Sequence, residues 1–261
     1  MILFYCCLLV TNLIIFIYFK KFSKFINIFD LKDNKLKIHK GKVPLVGGTI
    51  LFTNYIIIFL FDLVLNTQIY FINLNLISDA EIFSILFFLF SFYSLGFYDD
   101  KFNLSPNSKL IISIISVIFI INLNNELIIN NLNFSFKSNQ YFLNNYFIFL
   151  TIFCIIILKN SLNFYDGINC QTGILLLYIF FYLYIKTDFD QFYLINFIII
   201  LFILFLNYKG KLFFGDSGIY LSSAIISICL IYEYNVNKNI TFVDEIFLIL
   251  ILPGIDLVRL T

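Results

Sequence analysis

The sequence predicts an all-α, polytopic integral membrane protein of about nine transmembrane helices, with its N-terminus outside. Three observations carry that prediction. The 261 residues are 61% apolar and 13% charged, with Phe at 36 positions, whereas soluble domains average about 45–50% apolar and about 25% charged. The apolar residues gather in nine runs of near-spanning length. Lys and Arg, in turn, concentrate in alternate connections between those runs. A soluble domain of this size could not bury so much apolar side chain. The same composition excludes a disordered chain, a collagen, a coiled coil and a disulfide scaffold.

A hydrocarbon core about 30 Å thick takes roughly 20 helical residues at about 1.5 Å each. On that template the runs are 1–19, 43–65, 82–98, 110–128, 144–159, 172–187, 193–207, 217–232 and 246–260. The first has no basic leading region and no A-x-A-like cleavage site, so it reads as a span rather than a signal peptide. Asp62 lies inside the second run and is expected to reach the outer face by extending its side chain. The stretch 122–141, rich in Asn and alternating in its middle, reads as a short hairpin on the outer face. No internal repeat and no inverted pair of broken helices of the transporter kind is visible. The chain reads as a single transmembrane domain over 1–261.

Orientation follows from the basic residues. Lys20, Lys21, Lys24, Lys32, Lys35, Lys37, Lys40, Lys42, Lys101, Lys109, Lys159, Lys209, Lys211 and Arg259 fall on one side of a nine-span chain, and Lys137, Lys186 and Lys238 on the other. That asymmetry places the first set in the cytoplasm. The net charge of +1 says little about partners, and nothing suggests nucleic acid. The five cysteines have no metal-ligand spacing, and a single histidine, His39, excludes a multi-histidine metal site.

Four polar clusters stand out, all at cytoplasmic ends. In His39-Lys40-Gly41-Lys42-Val43-Pro44-Leu45-Val46-Gly47-Gly48, lysines beside glycines can offer cations and free N–H groups to phosphate. The bland alternative is a positive anchor with packing glycines. Gly96-Phe97-Tyr98-Asp99-Asp100-Lys101, followed by Leu104 and Lys109, sets two adjacent carboxylates at a helix end, where Mg²⁺ with substrate phosphate would suit them. An ordinary acidic loop explains them about as well.

In the third cluster Asn160, Asn163 and Asp166 recur every three residues, which places them on one helical face, with Asn169 following. Amides and a carboxylate there can read a nucleoside by directional hydrogen bonds, although polar caps at a helix end look similar. Phe213-Phe214-Gly215-Asp216-Ser217-Gly218 opens the eighth run. Its Asp216, between glycines, suits a metal–phosphate unit or a helix N-cap. Each cluster is modest alone. Their convergence on one membrane face is expected to bring Asp99, Asp100, Asp166 and Asp216 together, which suits an enzyme with a soluble substrate from the cytoplasm and a second substrate in the lipid.

Read as strings, the clusters resemble the signature motifs of the polyprenyl-phosphate N-acetylhexosamine-1-phosphate transferases. These include the undecaprenyl-phosphate N-acetylglucosamine-1-phosphate and phospho-N-acetylmuramoyl-pentapeptide transferases. HKGKVPLVGG resembles H-x-G-x-x-P-x-x-G-G, and GFYDDKFNLSPNSK resembles G-x-x-D-D-x-x-x-L-x-x-x-x-K/R. NSLNFYDGIN resembles N-x-x-N-x-x-D-G-x-D/N, FFGDSG resembles F-x-G-D-x-G, and LPGIDLVR at 252–259 resembles a Pro…Asp…Arg string of the ninth span. His39 with Leu45 and Val46 is closer to the N-acetylglucosamine branch.

The resemblance implies transfer of a HexNAc-1-phosphate from a UDP-N-acetylhexosamine to polyprenyl phosphate with release of UMP, the first membrane step of cell-surface glycan synthesis such as cell wall or lipopolysaccharide. It implies Mg²⁺ as cofactor, with Mn²⁺ as the alternative, and a multi-pass protein of the inner (plasma) membrane whose active site faces the cytoplasm. It further implies Asp216 as the main metal ligand and Asp99 as the group that deprotonates or positions the lipid phosphate, with Asp100 holding metal or phosphate beside it. Asn160, Asn163, Asp166 and Asn169 are then expected at the nucleotide and sugar phosphate, and Lys40, Lys42 and Lys109 at phosphate oxygens. A muramoyl-pentapeptide donor is the alternative within the family, and a membrane transporter the alternative outside it.

Departures from the pattern accompany the match. Asn169-Cys170-Gln171 stand where the family often has Asp-Gly-Leu, and Ile219-Tyr220 stand where it commonly has Ser. The family's histidine-bearing loop and final spans, which would follow the ninth run, are expected to be missing from these 261 residues.

Overall fold

The computed structural model describes residues 2–30, 41–65, 79–137, 141 and 146–260. A helix occupies each apolar run. They are α1 (Ile2–Ile17), α3 (Gly47–Leu65), α4 (Asp79–Phe102), α5 (Pro106–Leu123), α6 (Phe147–Tyr165), α7 (Gln171–Lys186), α8 (Gln191–Tyr208), α9 (Gly215–Asn235) and, for the last run, α10 (Val243–Ile249) with α11 (Ile251–Leu260). Among the described residues the only strands are β1 (Phe29–Asp30) and β2 (Val43–Pro44), antiparallel with Phe29 opposite Pro44. The expected all-α membrane architecture therefore stands.

Among the described residues, not every one of the nine runs forms a helix of full spanning length. Five helices among the described residues are long and apolar enough to cross a membrane, namely α4 from Glu81, α5, α6, α8 and α9, and six if α1 and the bent helix after it, α2 (Phe19–Ile26), count as one. Two of the remaining runs are short or broken. Helix α7 has 16 residues, about 24 Å at about 1.5 Å per residue, against a hydrocarbon thickness of about 30 Å. The final run is broken into two short helices at Leu250.

The chain turns by 81° between α1 and α2 (Phe19–Ile26). Lys20, Lys21 and Lys24 of α2 are exposed, while Phe19, Phe22 and Ile26 pack against the core. An amphipathic helix set across the end of a span lies naturally at a membrane surface.

Helix α9 is the centre of the bundle. Every residue from Ser217 to Asn235 is buried, enclosed chiefly by α3, α4 and α6. In lipid the hydrophobic effect does not draw helices together, so small residues and interhelical hydrogen bonds must. Small side chains such as Ser217, Gly218, Ser222, Ser223, Ala224 and Ser227 line α9 and admit its neighbours. Polar pairs tie the others: Asn12 of α1 and Asn54 of α3 exchange amide hydrogen bonds at 2.8 and 3.2 Å, and the Tyr55 hydroxyl donates to Asn196 of α8.

On the opposite face, the expected hairpin in 122–141 reduces to a short 3-10 turn at Asn125–Leu127 and one antiparallel bridge, Leu132–Tyr141, among the described residues. This segment is seated on α9, since the Asn133 N–H donates to the Tyr234 hydroxyl at 2.9 Å and the Asn235 amide donates to the Glu126 and Ile128 carbonyls at 2.8 and 2.7 Å.

Candidate active site

Local sequence brings the first and fourth clusters together. Pro44 accepts from the Phe213 N–H at 3.0 Å, and Gly47 and Gly48 donate to the Phe213 and Phe214 carbonyls at 3.1 Å each. The lead-in to α3 thereby runs parallel to the lead-in to α9. Gly96 brings the end of α4 against the same point, because a Cβ there would stand 2.5 Å from the Asp216 carbonyl carbon and from Ser217 Cα. Gly215 has φ +71°, a conformation side chains disfavour, and a Cβ on it would meet Asp100 Oδ2 at 2.8 Å. Glycines at both positions thus let α4 and the first turn of α9 touch.

That contact gathers three carboxylates. Asp100 accepts the Asp216 N–H at 2.8 Å on Oδ1 and the Ser217 N–H at 3.1 Å on Oδ2. A negative group over the first N–H groups of a helix also meets the positive end of its dipole. Asp99, at 2% exposure, accepts the Leu104 N–H at 3.0 Å on Oδ1. Its Oδ2 accepts the Tyr220 hydroxyl at 3.1 Å and lies 2.5 Å from Lys109 Nζ. The Asp99 and Asp216 carboxyl groups face each other at hydrogen-bonding range. Ser105 caps α5 by accepting the Ser108 N–H at 3.3 Å, with Pro106 at the first helical position. That start sets Lys109 one turn into α5, toward Asp99.

The third cluster takes a separate position, so Asp166 does not join Asp99, Asp100 and Asp216 as expected, its carboxyl being drawn to Thr172 in the turn into α7. Asp166 ends α6 and accepts the Thr172 hydroxyl at 2.7 Å. Burial pushes its carboxyl above the ordinary carboxylate range, and the Thr172 bond offsets part of that rise. Asn169 donates to the Asn207 carbonyl at 3.2 Å, and the Cys170 N–H donates to the Asn207 side chain at 2.8 Å. Asn160 and Asn163 are half-buried and have no side-chain partner among the described residues. Also among the described residues, no hydrogen bond or ion pair joins this cluster to Asp99, Asp100 or Asp216. Lys42 is exposed just ahead of β2, while His39, Lys40 and the side chain of Asp62 lie outside the described residues.

The carboxylates differ in how a divalent cation would find them. Both oxygens of Asp100 are taken by backbone N–H groups, and Asp99 is held by three donors. The Asp216 side chain meets the Asp99 carboxyl at hydrogen-bonding range and takes no backbone N–H among the described residues. No group of three or more His, Cys, Asp or Glu side chains among the described residues is disposed to hold a metal by itself. The donor set fits a Mg²⁺ ion resting on Asp216 beside Asp99, with its other ligands drawn from water and phosphate, the usual habit of that ion. It does not fit an ion enclosed by protein.

Three contributors escaped the sequence reading. Asn207 is buried at the end of α8, and its amide donates to the Leu212 carbonyl at 2.8 Å. It therefore ties the Asn169–Cys170 turn to the strand of chain leading into α9. A polar residue closing a long apolar run was the available signal. Tyr220 was noted only as a departure, and Lys159 only as a basic residue on the cytoplasmic side. The sequence model of glycosyl transferase family 4 matches residues 82–233, a stretch that includes all three carboxylates and the third cluster. No curated protein matches the chain.

Proposed function

The chain belongs to glycosyl transferase family 4, the family of the polyprenyl-phosphate N-acetylglucosamine-1-phosphate and muramoyl-pentapeptide transferases, and from that premise we propose that it moves a HexNAc-1-phosphate from a UDP-N-acetylhexosamine to polyprenyl phosphate, releasing UMP. Membership makes it a membrane phosphosugar transferase acting on a polyprenyl phosphate. The donor, the metal and the face of the membrane are our own reading. The observation that carries it is the meeting of Asp99, Asp100 and Asp216 at the junction of α4 and α9, with Lys109 alongside.

In this reading the polypeptide crosses the membrane nine times with its N-terminus outside. A helix at each apolar run and the distribution of Lys and Arg support that topology. The carboxylates then open to the cytoplasm of a plasma (inner) membrane. Asp216, with Asp99 beside it, would hold Mg²⁺, or Mn²⁺ in its place, and the ion would screen the charge of two phosphates that must approach each other. Asp99 orients the polyprenyl phosphate and takes its proton. Lys109 fixes Asp99 and offers its remaining N–H donors to phosphate oxygen. Asp100 holds the N-terminus of α9, and with it Asp216, in place. Asn160 and Asn163, with open amides, receive the nucleotide, while Asp166 and Asn169 shape the turn beneath it. Lys40 and Lys42 supply further cationic contacts at the mouth.

The experiment is UMP release by the purified protein with a panel of UDP-sugars and undecaprenyl phosphate. UDP-N-acetylhexosamines are expected to support turnover, and Asp216→Asn is expected to abolish it while the protein still melts cooperatively in detergent. Wild-type turnover in Asp216→Asn would defeat the metal assignment.

A further inference from the structure

Lys159 is 2% exposed in α6, one of the largest fully buried side chains of the protein. A buried ammonium ordinarily needs a counter-ion, because the effective desolvation penalty is several kcal/mol per ion. No described carboxylate forms an ion pair with Lys159. It donates to Ser113 Oγ of α5 at 2.7 Å and stands 4.9 Å from the ring centroid of Tyr220 of α9, both neutral partners.

Each partner leads to the same atom. The Tyr220 hydroxyl donates to Asp99 Oδ2 at 3.1 Å. Ser113 donates to the Lys109 carbonyl at 2.6 Å, and the Lys109 ammonium lies 2.5 Å from that Asp99 Oδ2. Lys159 is attracted by Asp99 and Asp216 and repelled by Lys109. A cation against a phenol face draws on the ring's electrons and sharpens its O–H as a donor. With its own proton committed to the Lys109 carbonyl, Ser113 accepts from Lys159 and locks the turn of α5 that presents Lys109.

We propose that Lys159 is a positioning residue for Asp99, holding its Oδ2 between Tyr220 and Lys109 from beneath, out of reach of either substrate. The proposal rests on the transferase reading above. Replacing the charge by an apolar side chain of similar length removes a desolvation penalty and leaves Asp99 paired with Lys109, so folding need not suffer.

The test uses the full chain in nanodiscs, with UDP-N-acetylglucosamine and undecaprenyl phosphate. Lys159→Met is expected to lower kcat about tenfold, the size of one charge-assisted hydrogen bond. KM for both substrates should stay within about twofold, and the melting temperature should not fall. Lys159→Arg is expected to restore most of kcat. Adding Tyr220→Phe to Lys159→Met should cost little more, since both act through one route. Full kcat in Lys159→Met overturns the proposal, and so does a loss carried by KM, which would put Lys159 on a substrate. With no substrate present, Lys159→Met and Asp99→Asn are expected to shift the melting temperature nonadditively; additive shifts overturn the link to Asp99 whatever the turnover. Absence of wild-type turnover with every donor would defeat the transferase reading alone, because the melting cycle reads the coupling separately.

Discussion

Asp100 reaches from the last turn of α4 to the first turn of α9 and takes the backbone N–H of Asp216 at 2.8 Å. With the Ser217 N–H on its other oxygen, it fills two of the donors that a helix start leaves unpaired. Asp100→Ala should therefore destabilise the protein by about 3 kcal/mol, two charge-assisted hydrogen bonds less what relaxation recovers. Asn keeps one acceptor oxygen, so Asp100→Asn should lose about half of that. Denaturant melts in detergent decide the point. Wild-type stability in Asp100→Ala would show that α9 does not depend on this clamp.

The approach of α4 to α9 is steric as well as electrostatic. A methyl group on Gly96 would overlap the Asp216 carbonyl and crowd the Ser217 Cα, both backbone atoms that cannot swing aside. Gly96→Ala is expected to push the helices apart, at about 1–3 kcal/mol of stability, and to move Asp99 and Asp100 away from Asp216. Activity should fall further than stability, since a displacement of about 1 Å at the reacting groups can cost about a hundredfold. An active, normally stable Gly96→Ala protein would refute the close-packed junction.

Much of this was legible in the sequence because lipid imposes a simple rule. Backbone groups must be paired within the segment, so apolar runs become helices, and each run from 1–19 to 246–260 did. The junction of Asp99, Asp100 and Asp216 was legible for a related reason: short connections at one membrane face bring such ends together. What stayed hidden depends on depth and on particular side-chain reach. Periodicity does not tell that α9 is enclosed on all sides, or that α7 is shorter than the bilayer. Nor does it tell that the Lys159 ammonium turns inward, since a lysine near a helix end ordinarily extends to the headgroups. Asp166 follows Asn160 and Asn163 at the same spacing, yet its carboxyl turns to Thr172 instead of the other aspartates, a choice set by the turn into α7.

Cys170 marks one strained point in that turn. It stands where the family often has glycine, and its φ is +69°, a region that costs an L side chain roughly 1–2 kcal/mol. Its N–H is held by Asn207 at 2.8 Å, which keeps the conformation in place. Cys170→Gly is expected to raise stability by about 0.5–1 kcal/mol, after allowing for the extra freedom glycine gives the unfolded chain. A fall in melting temperature for Cys170→Gly would mean that the thiol packs more favourably than the backbone strain costs.

Asp166 gives the turn a pH dependence of known sign. Burial raises its carboxyl above the ordinary value of 3.8, with the Thr172 hydroxyl bond pulling partly back. The folded chain then holds this proton more tightly than the unfolded chain does. Its contribution is fully present below 3.8 and is lost as pH rises through the raised folded value. The position adds to the effect, because a negative charge at the C-terminal end of α6 faces the negative end of the helix dipole. Asp166→Asn keeps an acceptor for Thr172 without the charge. Its melting temperature should match that of the wild type near pH ~4 and exceed it increasingly toward pH ~8, where the wild-type carboxylate is ionised. If Asp166→Asn melts below the wild type at neutral pH, the carboxylate is a net stabiliser and its burial is compensated by contacts stronger than the Thr172 bond.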